Sequence, residues 1–392
     1  MSRRPLLGAT GLLLFSCTGP FPAPKSAPAL QRTVLVPGRV LDPGSGMDRT
    51  GAAVIVEGSR IRGVVPLSRY RPAPDDRRID LPGTTLLPGL IDAHVHLGIG
   101  GTPRANAVAT VRAGFTTVAD QGATTQRIQV VRDSIAAFAW EGPRILAAGL
   151  WIGIRGGVCE FGGIGVPGNP EAFRARVREN VAAGADIIKA CVSGWPAVAW
   201  AHPDSAELSL PILAALVEEA RRLGRPVTAH AVSRAAVRLA LAAGVTGLVH
   251  TPYLDEGLAD RMREQGMWLV PTLTTLAGND TSPPARDLRA ALALARRRGV
   301  TLVFGTDAGV LPHGENAGEA LTLSQAGFTP LEILRAATAN AARALGLADS
   351  LGAIRVGMTA DLVAVAGDPR SNLALLATPV FVMARGRIVK QP

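Results

Sequence analysis

A chain of 392 residues with 47% hydrophobic side chains is long enough to bury a large core. Its length fits two domains, or one barrel of about 250 residues with an accessory piece. The net charge is +10, and all but three of the 41 basic residues are arginine. These arginines are spread along helical stretches, as at Arg174, Arg176, Arg178 and Arg221, Arg222, Arg225, with no single block interleaved with aromatics. Solvated helix faces account for them better than a nucleic-acid surface. Aromatic residues make up only 4%, which suits a core of small aliphatic layers. The three cysteines, Cys17, Cys159 and Cys191, do not make a disulfide framework, although two of them could pair.

Residues 1–17 read as an export signal: a basic start at Ser2-Arg3-Arg4, then a short apolar run from Gly8 to Phe15. The run is too brief to span a bilayer. It ends in Leu14-Phe15-Ser16-Cys17, which resembles a bacterial lipobox. That resemblance implies lipidation of Cys17 as the mature N-terminus, and hence a membrane contact through a lipid anchor. Thr18 in place of Asp resembles lipoproteins sent to the outer membrane, and the paired arginines before Leu6-Leu7 resemble a twin-arginine signal. The alternative is an ordinary signal peptide with a chance cysteine. Residues 18–29 read as a Pro/Ala-rich tether.

Short β segments follow at Thr33–Val36, Ala53–Gly58 and Ile61–Val65, separated by Gly, Pro and Asp turns. Asp361–Val365 and Val380–Val389 repeat the pattern near the other end. Residues 30–87 and 358–392 are therefore expected to form one small β-sandwich domain. Between them, residues 88–357 alternate. Strands are expected at Thr85–His96, Phe115–Asp120, Ile145–Gly149, Asp186–Val192, Pro226–His230, Val245–His250, Trp268–Leu273 and Thr301–Asp307. Amphipathic helices are expected at Pro170–Ala183, Pro211–Leu223, Ser233–Ala243 and Pro284–Arg298, with two more at Ala317–Ala326 and Pro330–Leu345. Eight strands alternating with helices point to an α/β fold, a (β/α)₈ TIM-like barrel. Trp151–Asn169 is glycine-rich and reads as a long loop.

The residues that carry chemistry close these strands. His94 and His96 sit i, i+2 on the first strand, so both imidazoles leave on one face. Lys189 lies on the fourth strand. His230, His250 and Asp307 end the fifth, sixth and eighth. Barrels build their active sites at this end of the strands. The chain has only six histidines, and four of them fall there. Two neutral imidazoles side by side make half of a divalent metal site.

Several runs make the chain resemble the amidohydrolase superfamily, in the subgroup of imidazolonepropionase and metal-dependent prolidases. They are Pro88-Gly89-Leu90-Ile91-Asp92-Ala93-His94-Val95-His96, the Asp186–Lys189 strand, Phe304-Gly305-Thr306-Asp307-Ala308-Gly309-Val310, Ala336–Ala342 and Gly352–Val363. The resemblance implies a binuclear site holding two divalent metal ions. His94, His96 and Asp307 would ligate one ion and His230 with His250 the other, and a CO₂-derived carbamate on Lys189 would bridge them. It further implies hydrolysis of an amide bond by a metal-bridging hydroxide, with Asp307 as catalytic proton shuttle. Zinc is the default from the histidine-rich ligation, and Mn²⁺ or Fe²⁺ would also suit the oxygens.

Departures from the subgroup lie around the substrate. Ala231-Val232-Ser233 follows His230 where a His or Tyr and then a Gly are usual, and the loop from Gly156 to Gly165 lacks the family's histidine. Tyr253 could replace the missing donor, or be a packed loop aromatic. Arg155 could meet a substrate carboxylate, or be a solvated charge. His313 reads as a loop residue and His202 has no assigned role. The expected substrate is a small-molecule amide such as an Xaa-Pro-like dipeptide or an N-acyl amino acid. Cyclic-amide hydrolysis, deamination, and a non-catalytic binding lipoprotein are the alternatives. No nucleic-acid partner is expected, and homo-oligomerisation is left open.

Overall fold

The computed structural model describes residues 32–392. The export signal, Cys17 and the tether all lie outside the described residues.

Strands β1 (Arg32–Asp42), β2 (Met47–Thr50), β3 (Ala52–Glu57), β4 (Arg60–Pro66) and β5 (Arg77–Pro88) form one sheet with three strands from the far end of the chain. With β14 (Leu362–Ala366), β15 (Phe381–Ala384) and β16 (Arg387–Lys390), its order is β16-β15-β14-β5-β1-β3-β4, with β2 also on β1. β5 is the stitch. It runs parallel to β1 on one side and antiparallel to β14 (Leu362–Ala366) on the other, with Leu86 opposite Ala364. The buried side chains of this sheet, among them Leu35, Val54, Ile61, Leu362 and Phe381, form their own cluster. Both chain ends thus share one continuous sheet, where the sequence suggested a sandwich of two.

The sequence also suggested one strand from Thr85 to His96. The structure divides it at Gly89, between β5 and β6 (Leu90–Val95). Gly89 N–H donates to the Asp361 carbonyl (2.7 Å), and a side chain there would run into Thr116. Glycine is needed because the chain passes between two sheets at a close approach.

Two parallel sheets follow. One is β6, β7 (Phe115–Asp120) and β8 (Arg144–Ala147). The other is β9 (Ile188–Cys191), β10 (Val227–Ala231), β11 (Gly247–His250), β12 (Trp268–Val270) and β13 (Thr301–Leu302). Backbone bonds join their edges. On one side Asp186 N–H donates to Ala147 (2.8 Å) and Ile152 N–H to Lys189 (3.1 Å). On the other, Ala93 N–H donates to Phe304 (2.9 Å) and Asp307 N–H to His94 (2.8 Å). The eighth strand is shorter than expected: only Thr301 and Leu302 pair regularly, and residues 303–307 run beside β6 through the two bonds just given.

Several of the helices between the strands begin at side-chain caps. Asn169 accepts from Ala172 N–H, Ser233 from Ala236 N–H and Asp255 from Leu258 N–H. Residues 210–222 bury Leu213, Leu216 and Ala220, at the 3–4 spacing of a helix packed on one face. Several arginines on the outer faces pair with carboxylates, as Arg174 with Glu218 and Arg296 with Glu332 (2.9 and 2.8 Å). Because the strands of both sheets run parallel, their C-terminal ends share one end of the molecule. Among the described residues, no helix is long and apolar enough to cross a membrane.

Candidate metal centre

His94, His96, Lys189, His230, His250 and Asp307 come together at that end, each no more than 8% exposed. Asp307 Oδ1 lies 3.2 Å from Nε2 of both His94 and His96. The ring centroids of His94 and His250 are 5.2 Å apart, and those of His230 and His250 4.7 Å. Ligand atoms of His94, His250 and Asp307 all lie within 4.8 Å of one another, a group that could hold a metal ion.

Hydrogen bonds aim the rings. A backbone carbonyl can only accept, so the ring nitrogen facing one must carry the proton. His96 Nδ1 donates to Gly122 O (2.8 Å), leaving Nε2 toward the cluster, and His230 Nε2 donates to Gly194 O (3.2 Å), leaving Nδ1. His250 Nδ1 meets Thr272 Oγ1 at 2.7 Å. Such outer partners fix the orientation of ligating histidines.

The backbone is strained at the same place. His250, Thr251, Thr272 and Asp307 all have positive φ (79°, 39°, 46° and 64°). For non-glycine residues this costs on the order of 1–3 kcal/mol each and persists where the surroundings enforce it. Asp92 supplies part of that enforcement. Buried between β6 and the eighth strand, its carboxylate accepts from His94 N–H (3.0 Å), Thr306 N–H (3.2 Å), Thr306 Oγ1 (2.7 Å) and Asn316 Nδ2 (2.8 Å). It thereby ties the strand of His94 to the strand of Asp307. Asp120, bonded to Leu97 N–H (2.7 Å) and Gly122 N–H (3.0 Å), does the same beside His96. On the far side, Glu319 accepts from the N–H groups of Leu273 and Thr274 (2.8 Å each) and holds the turn that carries Thr272.

Burial governs the electrostatics. Desolvation pulls His94 to about 3 and His230 to about 4, and pushes His250 well below its ordinary value, so all three are neutral at pH 7. It lowers Lys189 to about 7, against the pull of Asp307. Burial alone would raise Asp307, but the imidazoles of His94 and His96, each within 3.2 Å of its Oδ1, hold it well below the carboxylate range. Lys189 Nζ and His94 Nδ1 are buried with no hydrogen-bond partner. A buried amine left unpaired among neutral imidazoles and an ionised carboxylate is the donor set expected of a site completed by cations.

Above the cluster lies a cavity of ≈ 290 Å³ walled by Trp151, Val158, Phe161, Trp195, Leu276 and Val310. The loop of residues 151–169 forms one wall. A Cys159–Cys191 disulfide (Cα–Cα 6.2 Å) pins it to β9, two residues beyond Lys189. Sequence reasoning left this pairing open and did not single out Asp92, Asp120, Thr272 or the aromatic wall. Asp92 and Asp120 did carry a signal, since each is an acidic residue within an apolar strand.

Two expectations about substrate residues are corrected. Tyr253 does not reach the histidines. It lines a different cavity with Arg238 and Asp287, and the Arg234 guanidinium lies 5.6 Å from its ring centroid. The positive φ of His250 and Thr251 turns the chain away before Tyr253. Arg155 is exposed and absent from the cavity wall, because its backbone pairs with Val166 in a turn that sends the side chain outward. His313 donates from Nε2 to the His96 carbonyl (3.2 Å), a loop contact, and His202 is exposed.

This chain belongs to the amidohydrolase family, whose model matches residues 85–392. It is 32% identical to ochratoxinase of Aspergillus niger over 57% of its own length, and the match spans only 50% of that protein. Imidazolonepropionase of Polaromonas sp. is 28% identical, over 90% of this chain and 92% of that one. Among solved structures, a putative prolidase from Bifidobacterium longum superposes with a TM-score of 0.82 at 30% identity, covering 93% of this chain and 96% of that one.

A disulfide closing a loop of this size typically contributes ~2–4 kcal/mol. The Cys159→Ser/Cys191→Ser variant should therefore melt several degrees below the parent in a thermal scan under oxidising conditions. An unchanged midpoint would mean that the 151–169 wall does not depend on the bond.

Proposed function

We propose that the chain is a metal-dependent hydrolase that cleaves an amide C–N bond of a small molecule, built on a (β/α)₈ barrel. One observation carries the reading: neutral imidazoles, an unpaired lysine and an ionised aspartate converge, all buried, at the C-terminal ends of parallel strands. Family membership and the imidazolonepropionase and prolidase-like relatives support it.

His94, His96 and Asp307 would hold one divalent ion, and His230 with His250 a second; zinc fits the nitrogen-rich set, and Mn²⁺ or Fe²⁺ the oxygens. Lys189, poised near neutrality, can add to CO₂ with loss of one proton, and the resulting carbamate would offer an oxygen to each ion. When bound, the ions would polarise the substrate carbonyl and lower the pKa of a water. Asp307, ionised and beside that position, takes the proton of the attacking water and delivers it to the departing nitrogen. Asp92 and Asp120 keep the strands in register during this exchange, and the cavity walls limit competing water.

General acid–base participation is worth roughly 10²–10⁴-fold in rate. Asp307→Asn should cost at least that in kcat while the far-ultraviolet dichroism stays unchanged, and chelation of the parent should silence it until Zn²⁺ or Mn²⁺ is returned. Full activity in Asp307→Asn would refute the assignment.

We also propose export and anchoring through Cys17 at the cell envelope, in the outer membrane, with the twin-arginine route as a candidate path. The Cys159–Cys191 disulfide supports an oxidising compartment. Fractionation should find the full chain with membranes and Cys17→Ser in the soluble fraction. Equal partition of the two would contradict the anchor.

A further inference from the structure

The dipeptides and N-acyl amino acids expected from the sequence all present a carboxylate next to the bond that is cut. A carboxylate taken into a largely dry cavity needs a cation or several donors, or it loses its hydration uncompensated. The walls above the histidines offer neither, and the ions that would lie at the floor serve the scissile carbonyl and the attacking water. Among the residues lining the cavity, the only lysine or arginine is Lys189, at the floor within the cluster itself. Its one wall hydroxyl, Thr275 Oγ1, already donates to the Thr306 carbonyl (2.7 Å). Arg155 and Tyr253, the residues that could have met a carboxylate, lie elsewhere.

The walls supply a different kind of contact. The rings of His96 and Trp151 are 5.5 Å apart, those of Trp151 and Phe161 5.4 Å, and those of Phe161 and Trp195 6.0 Å. An aromatic strip thus runs from a ligand histidine out to the rim. Its inner member is fixed, because Trp151 Nε1 donates to the Gln121 carbonyl (3.0 Å). The outer members are open: Trp195 is 53% and Phe161 39% exposed, and Val310 on the same rim 63%. Large apolar side chains left uncovered around one mouth mark a surface that something apolar covers. Offset or edge-on ring packing at 4.5–7 Å is the arrangement aromatic groups prefer.

We propose that the substrates of this chain are uncharged amides bearing an aromatic group, and that the cavity selects against amides with a carboxylate beside the scissile bond. The aromatic group packs against the strip of Trp151, Phe161 and Trp195, and the amide carbonyl reaches the cluster at the floor. The inference rests on the reading of this site as a C–N hydrolase. The loop carrying Phe161 is held in place by the Cys159–Cys191 bond, so the strip is a built wall.

The matched pair N-benzoyl-phenethylamine and N-benzoyl-phenylalanine differs only in the carboxylate. With zinc-loaded full chain, benzoate release should show kcat/KM at least about 10-fold higher for the neutral member. A site lacking the partner for a polar group discriminates on this scale or more. Trp195→Ala should raise KM for the neutral member several-fold with little change in melting temperature. Binding of both compounds is followed separately by quenching of tryptophan fluorescence. Tighter binding of the neutral member without cleavage of either would uphold the substrate class and refute the hydrolase reading. Cleavage of both with equal or better kcat/KM for the acid would uphold hydrolysis and overturn the inference. Failure of the neutral compound to bind, or equal binding of the pair, would overturn it as well.

Discussion

The end of the molecule where the parallel strands terminate depends on one constraint: charge has been taken out of water and must be balanced there. Lys189, Asp307 and four imidazoles share a buried volume, with Asp92 and Asp120 behind them. An isolated buried charge is costly enough that groups shift their protonation instead, and these do. The lysine falls to about 7, while Asp92 and Asp120 rise through desolvation to about 6. At pH 7 both aspartates are still ionised, which their donor-rich surroundings favour. Bound cations would satisfy the imidazoles, Asp307 and a carbamate on Lys189 together, whereas pairing within the protein leaves Lys189 Nζ without a partner.

The rest of the fold can be understood as holding that volume in shape. Left-handed backbone at Thr272 and Asp307 is kept by the carboxyl groups of Glu319 and Asp92, which bond neighbouring N–H groups from outside the cluster. The sheet built from both chain ends fixes the entry into β6 at Gly89, five residues before His94. The disulfide ties the cavity wall to the strand of Lys189. Floor and wall are therefore anchored to the same strands, but they are chemically unlike, ionic below and aromatic above.

Much of this was legible in the sequence, because strand alternation and strand-end placement are local. The H-x-H pair at the end of β6 and the later strand-closing residues can be read from spacing alone, and helices over 170–182, 210–222 and 234–243 follow from apolar periodicity. What was hidden depends on the third dimension. The split at Gly89 comes from Thr116, distant in sequence. Thr272 takes a left-handed conformation that ends β12 early, so the expected strand to Leu273 gives way to a helical turn. Tyr253 looked close to the site by counting from His250, but two positive-φ residues redirect the chain. The aromatic strip joins Trp151, Phe161 and Trp195 across 44 residues, and no local pattern connects them.

The central claim is that the buried cluster is a metal centre. The most direct test is a crystal of the protein grown with zinc and measured on both sides of the zinc absorption edge. Two anomalous peaks are expected within ligating distance of the six side chains, with density for a carbamate on Lys189 between them. No peak among those residues, with Lys189 paired as a plain ammonium to Asp307, would contradict it.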